Sequence, residues 1–218
     1  MEGNKSSETL QIFELCCLMK KFLEIVIRRA KKGSGSAKTH WQKRTAMIKQ
    51  PDLRKILEPI QWAVIGGVAT RAYMPERATI DLDVLIKAED SEEARKLMRS
   101  ASCKYLGELS IGGSSWEMPD GHLVDIIESD EIWVSSALVE LNRDAQGLPV
   151  IALPYLVLMK LRSGRTQDLA DISRMLGLAA NVEVQKTRKI VAKYQPDDLE
   201  DLESLISLGR LEVSNNSS

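Results

Sequence analysis

Apolar residues recur three and four positions apart from Thr9 to about Ala30, where Ile12, Phe13, Leu15, Cys16, Met19, Phe22, Leu23, Val26 and Ile27 mark one helix face. The spacing predicts an amphipathic helix that packs on the body of the protein or on another chain. Lys31 to Thr45 has no such rhythm and carries Gly33-Ser-Gly-Ser, which predicts a flexible basic linker. Pro51 to Leu57 is read as a short helix, since proline suits a first helical turn, and Pro59 ends it.

The rhythm then changes. Trp62-Ala-Val-Ile65 is a short apolar run, Gly66-Gly67 a turn leading into a helical segment, and Thr79 to Ile86 alternates with the period of a strand. Glu89 to Ser102 is helical again, with Ala94, Leu97 and Met98 inward. Lys104 to Leu109, Ser115 to Met118 and His122 to Ile127 read as strands, separated by turns at Gly112-Gly113 and Pro119-Asp120-Gly121. Glu131 to Leu141 fits helix and strand equally, and Leu148 to Leu153 is a short apolar strand. Four helical stretches follow. They are Tyr155 to Arg162, Thr166 as a cap through Leu176 with Gly177 ending it, Asn181 to Tyr194, and Asp197 to Leu208 with acids in its first turn. The tail from Ser214 is polar. Strands gathered in the middle and helices at the end predict an α+β protein, divided as 1–46 helix and linker, 47–150 core and 151–218 helical region. A start at Met47 would still leave the core whole.

Composition narrows this picture in two places. The first fifty residues carry 11 Lys/Arg against 4 Asp/Glu, whereas the remainder carries 19 against 27, so a basic arm precedes an acidic body. Such an arm could meet nucleic acid or simply be solvated. The three cysteines, Cys16, Cys17 and Cys103, have neither zinc spacing nor an even count, which places the chain in a reducing compartment, the cytoplasm by default. Leu10 to Ile27 is interrupted by Glu14, Lys20, Lys21 and Glu24, so no membrane span is expected. His40 and His122 lack metal spacing, and Trp116 and Trp133 read as core or rim.

The chemistry gathers in Gln61 to Ile86, QWAVIGGVATRAYMPERATIDLDVLI. On a strand, Asp81 and Asp83 present two carboxylates on one face while Ile80, Leu82 and Val84 face the core. Two anions that close repel each other, and a hard cation such as Mg²⁺, shared with a substrate phosphate, is the simplest compensation. Gly66 and Gly67, lacking Cβ atoms, let a phosphate approach the backbone; the plainer reading of the pair is a tight turn. Asp125 stands inside the apolar strand Leu-Val-Asp-Ile-Ile, where its charge needs a partner unless it caps a strand end.

An apolar residue with Gly-Gly, a short gap, then apolar-Asp-apolar-Asp-apolar resembles the signature of the nucleotidyltransferase fold of the DNA polymerase β superfamily. Arg77, Thr79 and Asp81 in RATIDLDVLI resemble in particular the AbiEii-type nucleotidyltransferase toxins. Many members carry Gly-Ser where this chain has Gly66-Gly67. The distal stretch Lys160-Leu-Arg-Ser-Gly-Arg-Thr-Gln-Asp-Leu-Ala-Asp171 resembles a second motif of that group, and motif order matches from about Ile60 to Gly177.

The resemblance implies a small mixed sheet flanked by helices and a two-metal magnesium site on Asp81, Asp83 and Asp125. It also implies a nucleoside triphosphate held by Gly66, Gly67, Arg77 and Lys160. The expected reaction moves a nucleoside monophosphate to RNA, with transfer RNA foremost, as the toxin of a toxin–antitoxin pair with a cognate antitoxin as partner. An aminoglycoside-type small acceptor, and a non-catalytic nucleotide- or partner-binding module, are the alternatives. Asp168 and Asp171, three apart on one helix face, either join the site or pair with Lys160 or Arg165 to fix a helix corner.

Overall fold

A computed structural model describes residues 17–28, 51–74, 79 and 81–215. The first half of the N-terminal helix, the basic linker, Arg77 and Ile80 lie outside these residues. The chain divides into two compact units, one within Lys38–Ala152 and one that joins Met1–Ala37 to Leu153–Ser218. Together they make an α+β protein with a mixed sheet, as the grouping of strands and helices in the sequence predicts.

In the first unit, β1 (Trp62–Val64) leads into the short helix α2 (Gly66–Thr70), and β2 (Leu82–Lys87) returns antiparallel to β1. A 3-10 turn, Ala88–Asp90, opens α3 (Ser91–Ser100). β3 (Lys104–Glu108), β4 (Gly113–Glu117) and β5 (Leu123–Ser129) follow, then α4 (Val134–Ala137), β6 (Leu141–Arg143) and β7 (Pro149–Ile151). The seven strands lie in the order β3-β4-β5-β2-β1-β7-β6, with β2–β5 and β1–β7 parallel and the other pairs antiparallel. Glu131 to Leu141, which fits both periods, resolves into both structures: a helical turn and then the start of an edge strand. Pro51 to Leu57 closes only one turn, with the Ile56 and Leu57 amides both donating to the Leu53 carbonyl, so no helix propagates there.

β2 shows how the sequence sets the sheet. Leu82, Val84 and Ile86 are fully buried on one face. On the other face Asp83 and Lys87 are half-buried and Leu85 between them is fully buried, so that face opens at its two ends, with Asp83 at one of them. Trp116 and Trp133 are core residues; the Trp116 indole N–H donates to the Ser114 hydroxyl at 2.9 Å, which satisfies the one polar atom the ring buries.

The second unit is helical: α1 (17–28), α5 (Leu153–Ser163), α6 (Thr166–Leu178), α7 (Asn181–Tyr194) and α8 (Leu199–Asn215). Arg28 of α1 bonds Asp201 of α8, and Ile25 is buried. Leu161, Leu169, Ile172, Met175 and Leu202 have no exposed surface. Arg165, rather than Thr166, is the N-cap of α6, and Thr166 is its first helical residue.

Gly177 does not end α6. It is buried inside the helix, where a Cβ would stand 2.4 Å from the Gly209 carbonyl oxygen of α8. A Cβ on Gly209 would stand 1.9 Å from the Ser173 carbonyl oxygen. Two bare backbones therefore let α6 and α8 cross in direct contact. Arg210 closes the same corner, donating to the Gly177 and Ala179 carbonyls at 2.9 and 2.8 Å. Gly209→Ala should force the helices apart and destabilise the fold by about 1–3 kcal/mol, read from the midpoint of urea unfolding.

Candidate functional site

The Asp83 carboxylate lies directly against the glycine turn. β1 ends at Val64, Ile65 stays extended with its amide donating to the Asp83 carbonyl at 2.9 Å, and Gly66 turns the chain with φ +62°. A Cβ on Gly66 would fall 1.9 Å from Asp83 Oδ2. Glycine is needed here twice over, for the left-handed backbone and for the space the carboxylate fills. Gly67 is similarly close to the next turn of chain, since its Cβ would meet the Thr79 Cβ at 2.9 Å.

The segment entering β2 is tied back to α2. Arg71 Nη2 donates to the Thr79 carbonyl at 2.8 Å, and the Thr70 hydroxyl donates to the Gly66 carbonyl at 2.9 Å. Together with Gly67 against Thr79, these bonds fix where the chain begins its run through Asp81 and Asp83. Asp81 is half-buried and stands just ahead of the first strand residue, Leu82.

Asp125 comes to Asp83 through strand register. β2 and β5 run parallel with Asp83 opposite Asp125, and β4 places Ser115 opposite Asp125 from the other side. Residues in register on neighbouring strands share a face about 4.8 Å apart, so Ser115, Asp125 and Asp83 form one polar row ending at Gly66. The residues beside them, Leu82, Val84, Val124 and Ile126, are fully buried on the opposite face. Ser115 and Arg71 were not singled out from sequence. Ser115 follows from counting back across the hairpin turn, where Met118 meets His122; Arg71 carries no such signal, because its bond depends on the fold.

The donor set of Asp83 and Asp125 is all oxygen, in the number that a magnesium ion takes alongside substrate phosphates. No group of three or more His, Cys, Asp or Glu side chains is gathered into a ready-made metal cluster among the described residues.

Lys160 sits in the helical unit, only 5% exposed, with its ammonium donating to Asp168 and Asp171 at 2.7 Å each. Arg165 Nε and the Ser163 hydroxyl also donate to Asp168. This is the helix-corner pairing that the sequence allowed, and it directs Lys160 inward. Burial alone would raise the Asp168 pKa; the Lys160 charge and the hydrogen bonds from Arg165, Lys160 and Ser163 outweigh it and hold the carboxyl below the ordinary aspartate value.

Gly66→Ala tests the cradle. Its methyl must displace Asp83 or shift the turn, so about 1–3 kcal/mol of stability should be lost to backbone strain. A denaturant melt reads the loss.

No protein-family model matches the chain, and no curated protein matches it. Among solved structures it is similar to ANT(2")-Ia in complex with adenylyl-2"-tobramycin, at 17% identity and a TM-score of 0.38 over 74% of this chain and 96% of that one. A solution structure of the antibiotic-resistance factor ANT(2'')-Ia gives 14% identity and a TM-score of 0.39, over 95% of this chain and 96% of that one. A candidate nucleotidyltransferase from Thermotoga maritima gives 20% and 0.36, over 53% and 84%. Likeness at this level assigns no residue and no activity. No helix of the described residues is long and apolar enough to cross a membrane.

Proposed function

We propose that the chain is a magnesium-dependent nucleotidyltransferase that moves a nucleoside monophosphate from a nucleoside triphosphate to a hydroxyl of RNA. The observation that carries the reading is the register of Asp83 and Asp125 on adjacent parallel strands, with the Asp83 carboxylate seated on Gly66. Two carboxylates brought side by side on half-buried strand positions suit a hard, oxygen-ligated cation shared with substrate phosphates.

In this reading Asp83 and Asp125, with Asp81 beside them, hold magnesium, which when bound neutralises charge on the phosphates. Gly66 and Gly67, against which Asp83 and Thr79 pack, set the turn beside the approach of the triphosphate. Arg71 and Thr79 keep the entry to β2 in place, and Arg77 is the cation assigned to the phosphates. Lys160, directed into its own unit, is given no phosphate contact. The acceptor oxygen forms a bond to the α-phosphorus, the bond from that phosphorus to the bridging oxygen breaks, and pyrophosphate leaves. The hydroxyl proton passes to Asp125 or to solvent. Positioning and charge stabilisation suffice for such a transfer, so no Ser, Cys or His nucleophile is needed.

The test incubates the protein with Mg²⁺, each labelled nucleoside triphosphate in turn, and total cellular RNA, with Asp81→Ala/Asp83→Ala as control. Label entering an RNA band only with the carboxylates intact supports the reading. Label entering an added aminoglycoside instead assigns the small-acceptor alternative, and nucleotide binding without any transfer assigns a binding module. The role as a toxin held by an antitoxin rests on the sequence resemblance, and growth arrest on expression of the intact chain but not of the double variant is its expected sign.

A further inference from the structure

The outward face of α7 carries three lysines in a row. Lys186, Lys189 and Lys193 fall within about 60° of arc at 3.6 residues per turn and span about 10 Å of helix axis. All three are exposed, and the buried residues Val184, Thr187 and Val191 lie on the opposite side of the helix. The exposed positions flanking the stripe, Gln185 and Ala192, are uncharged. Of the acidic residues of this corner, Glu183 flanks the stripe and binds Lys186, Glu203 on α8 binds Arg188 at 2.6 Å, and Asp197, Asp198 and Glu200 begin the following helical segment. Protein surfaces ordinarily intersperse the two signs, and a stripe of one sign concentrates the opposite charge from solution.

The side chains of all three lysines reach solvent. Lys189 makes no ion pair among the described residues. Lys186 reaches Glu183 at 2.7 Å, but the lysine side chain is 60% exposed, and pairs of that kind hold weakly against a competing anion. Lys193 lies 4.7 Å above the Tyr194 ring, which leaves its ammonium in solvent. A row of point charges with a single flanking acid, Glu183, suits a chain of phosphates, where each ammonium meets one anion and sequence is not read. A polycationic small acceptor would meet three ammonium groups here and one carboxylate, Glu183, that Lys186 already holds.

Resting on the RNA-acceptor reading above, we propose that this face of α7 binds the phosphate backbone of single-stranded RNA, contributing affinity but no sequence preference. Three phosphate contacts predict that log affinity falls against log salt concentration with a slope steeper by about 2 than when the stripe is neutral.

The experiment measures binding of the full chain to a labelled mixed-sequence single-stranded RNA by fluorescence anisotropy over a salt series. It is run without nucleotide, in an Asp83→Asn background, so that its result does not depend on catalysis. Lys186→Gln/Lys189→Gln/Lys193→Gln should weaken binding at least tenfold at low salt and flatten the slope by about 2. The control Lys96→Gln/Arg99→Gln/Lys104→Gln, which removes three exposed cations from the sheet unit, should leave both within twofold. Absence of RNA binding by the parent chain, an unchanged slope in the stripe variant, or an equal loss in the control would each overturn the proposal. If binding behaves as expected while no nucleotide is ever transferred, the stripe stands and the transferase reading fails. If transfer to RNA occurs with the stripe neutral and binding unchanged, the reverse holds.

Discussion

Asp83→Asn is expected to reduce nucleotide transfer at least a thousandfold, about 4 kcal/mol of transition-state stabilisation, while the unfolding midpoint stays close to that of the parent. The amide keeps the size of the carboxylate that fills the space beside Gly66, so the turn remains packed. It removes the charge that a cation requires. Asp125→Asn should act similarly, because the two groups face each other across β2 and β5, and the double variant should be hardly worse than either single one. Single-turnover incorporation of labelled nucleotide, beside a urea melt, measures both quantities. More than a tenth of the parent rate in Asp83→Asn would remove Asp83 from the chemistry.

The largest stability effect is expected at Lys160. Lys160→Met leaves Asp168 and Asp171 buried with their shared ammonium gone, and breaking a buried ion pair from one side costs about 3–5 kcal/mol. Acidity separates this from ordinary loss of packing. In the parent the Asp168 pKa is held below its unfolded value, so its contribution is fully present above the unfolded pKa, near 4, and is lost as pH falls through the folded one. Without the ammonium, burial is opposed at Asp168 only by the bonds from Arg165 and Ser163, and its carboxyl pKa rises in the folded state. Lowering the pH from neutral should then relieve the variant while the parent holds steady. Urea unfolding midpoints between pH 7 and about 4 read this opposite slope. A variant whose midpoint falls in parallel with the parent would falsify the account of the cluster.

How much of this was legible depended on how far apart in the chain the partners lie. The alternation around Asp83 and the apolar surroundings of Asp125 mark both carboxylates, because each rests on the two-residue period of its own strand, whereas Asp81, read as part of that strand, stands just ahead of it. Their register opposite each other required the sheet. Gly66-Gly67 was legible as a turn open to an anion, but the carboxylate of the chain's own Asp83 against Gly66 was not. Gly177 shows the reverse error. A glycine after a periodic run reads as a helix end, whereas here it makes room for Gly209, a partner on another helix that no local pattern announces. Lys160 with Asp168 and Asp171 sits between these cases: helical spacing put the acids on one face, and only burial decided which way the lysine points.

The order of strands also bears on how the protein is made. β4 and β5 form a hairpin, and β2 joins them from a segment translated shortly before, so the polar row is complete within Leu82–Ser129. β7 pairs with β1 through Val64 and Val150, a parallel contact that closes a far longer loop and forms against a larger entropic opposition. On a ribosome, which releases the N-terminal part first, the carboxylates would meet before the edge of the sheet has left the tunnel. Chaperone binding to a stalled nascent chain should therefore centre on the bare flank of β1, the side that waits for β7.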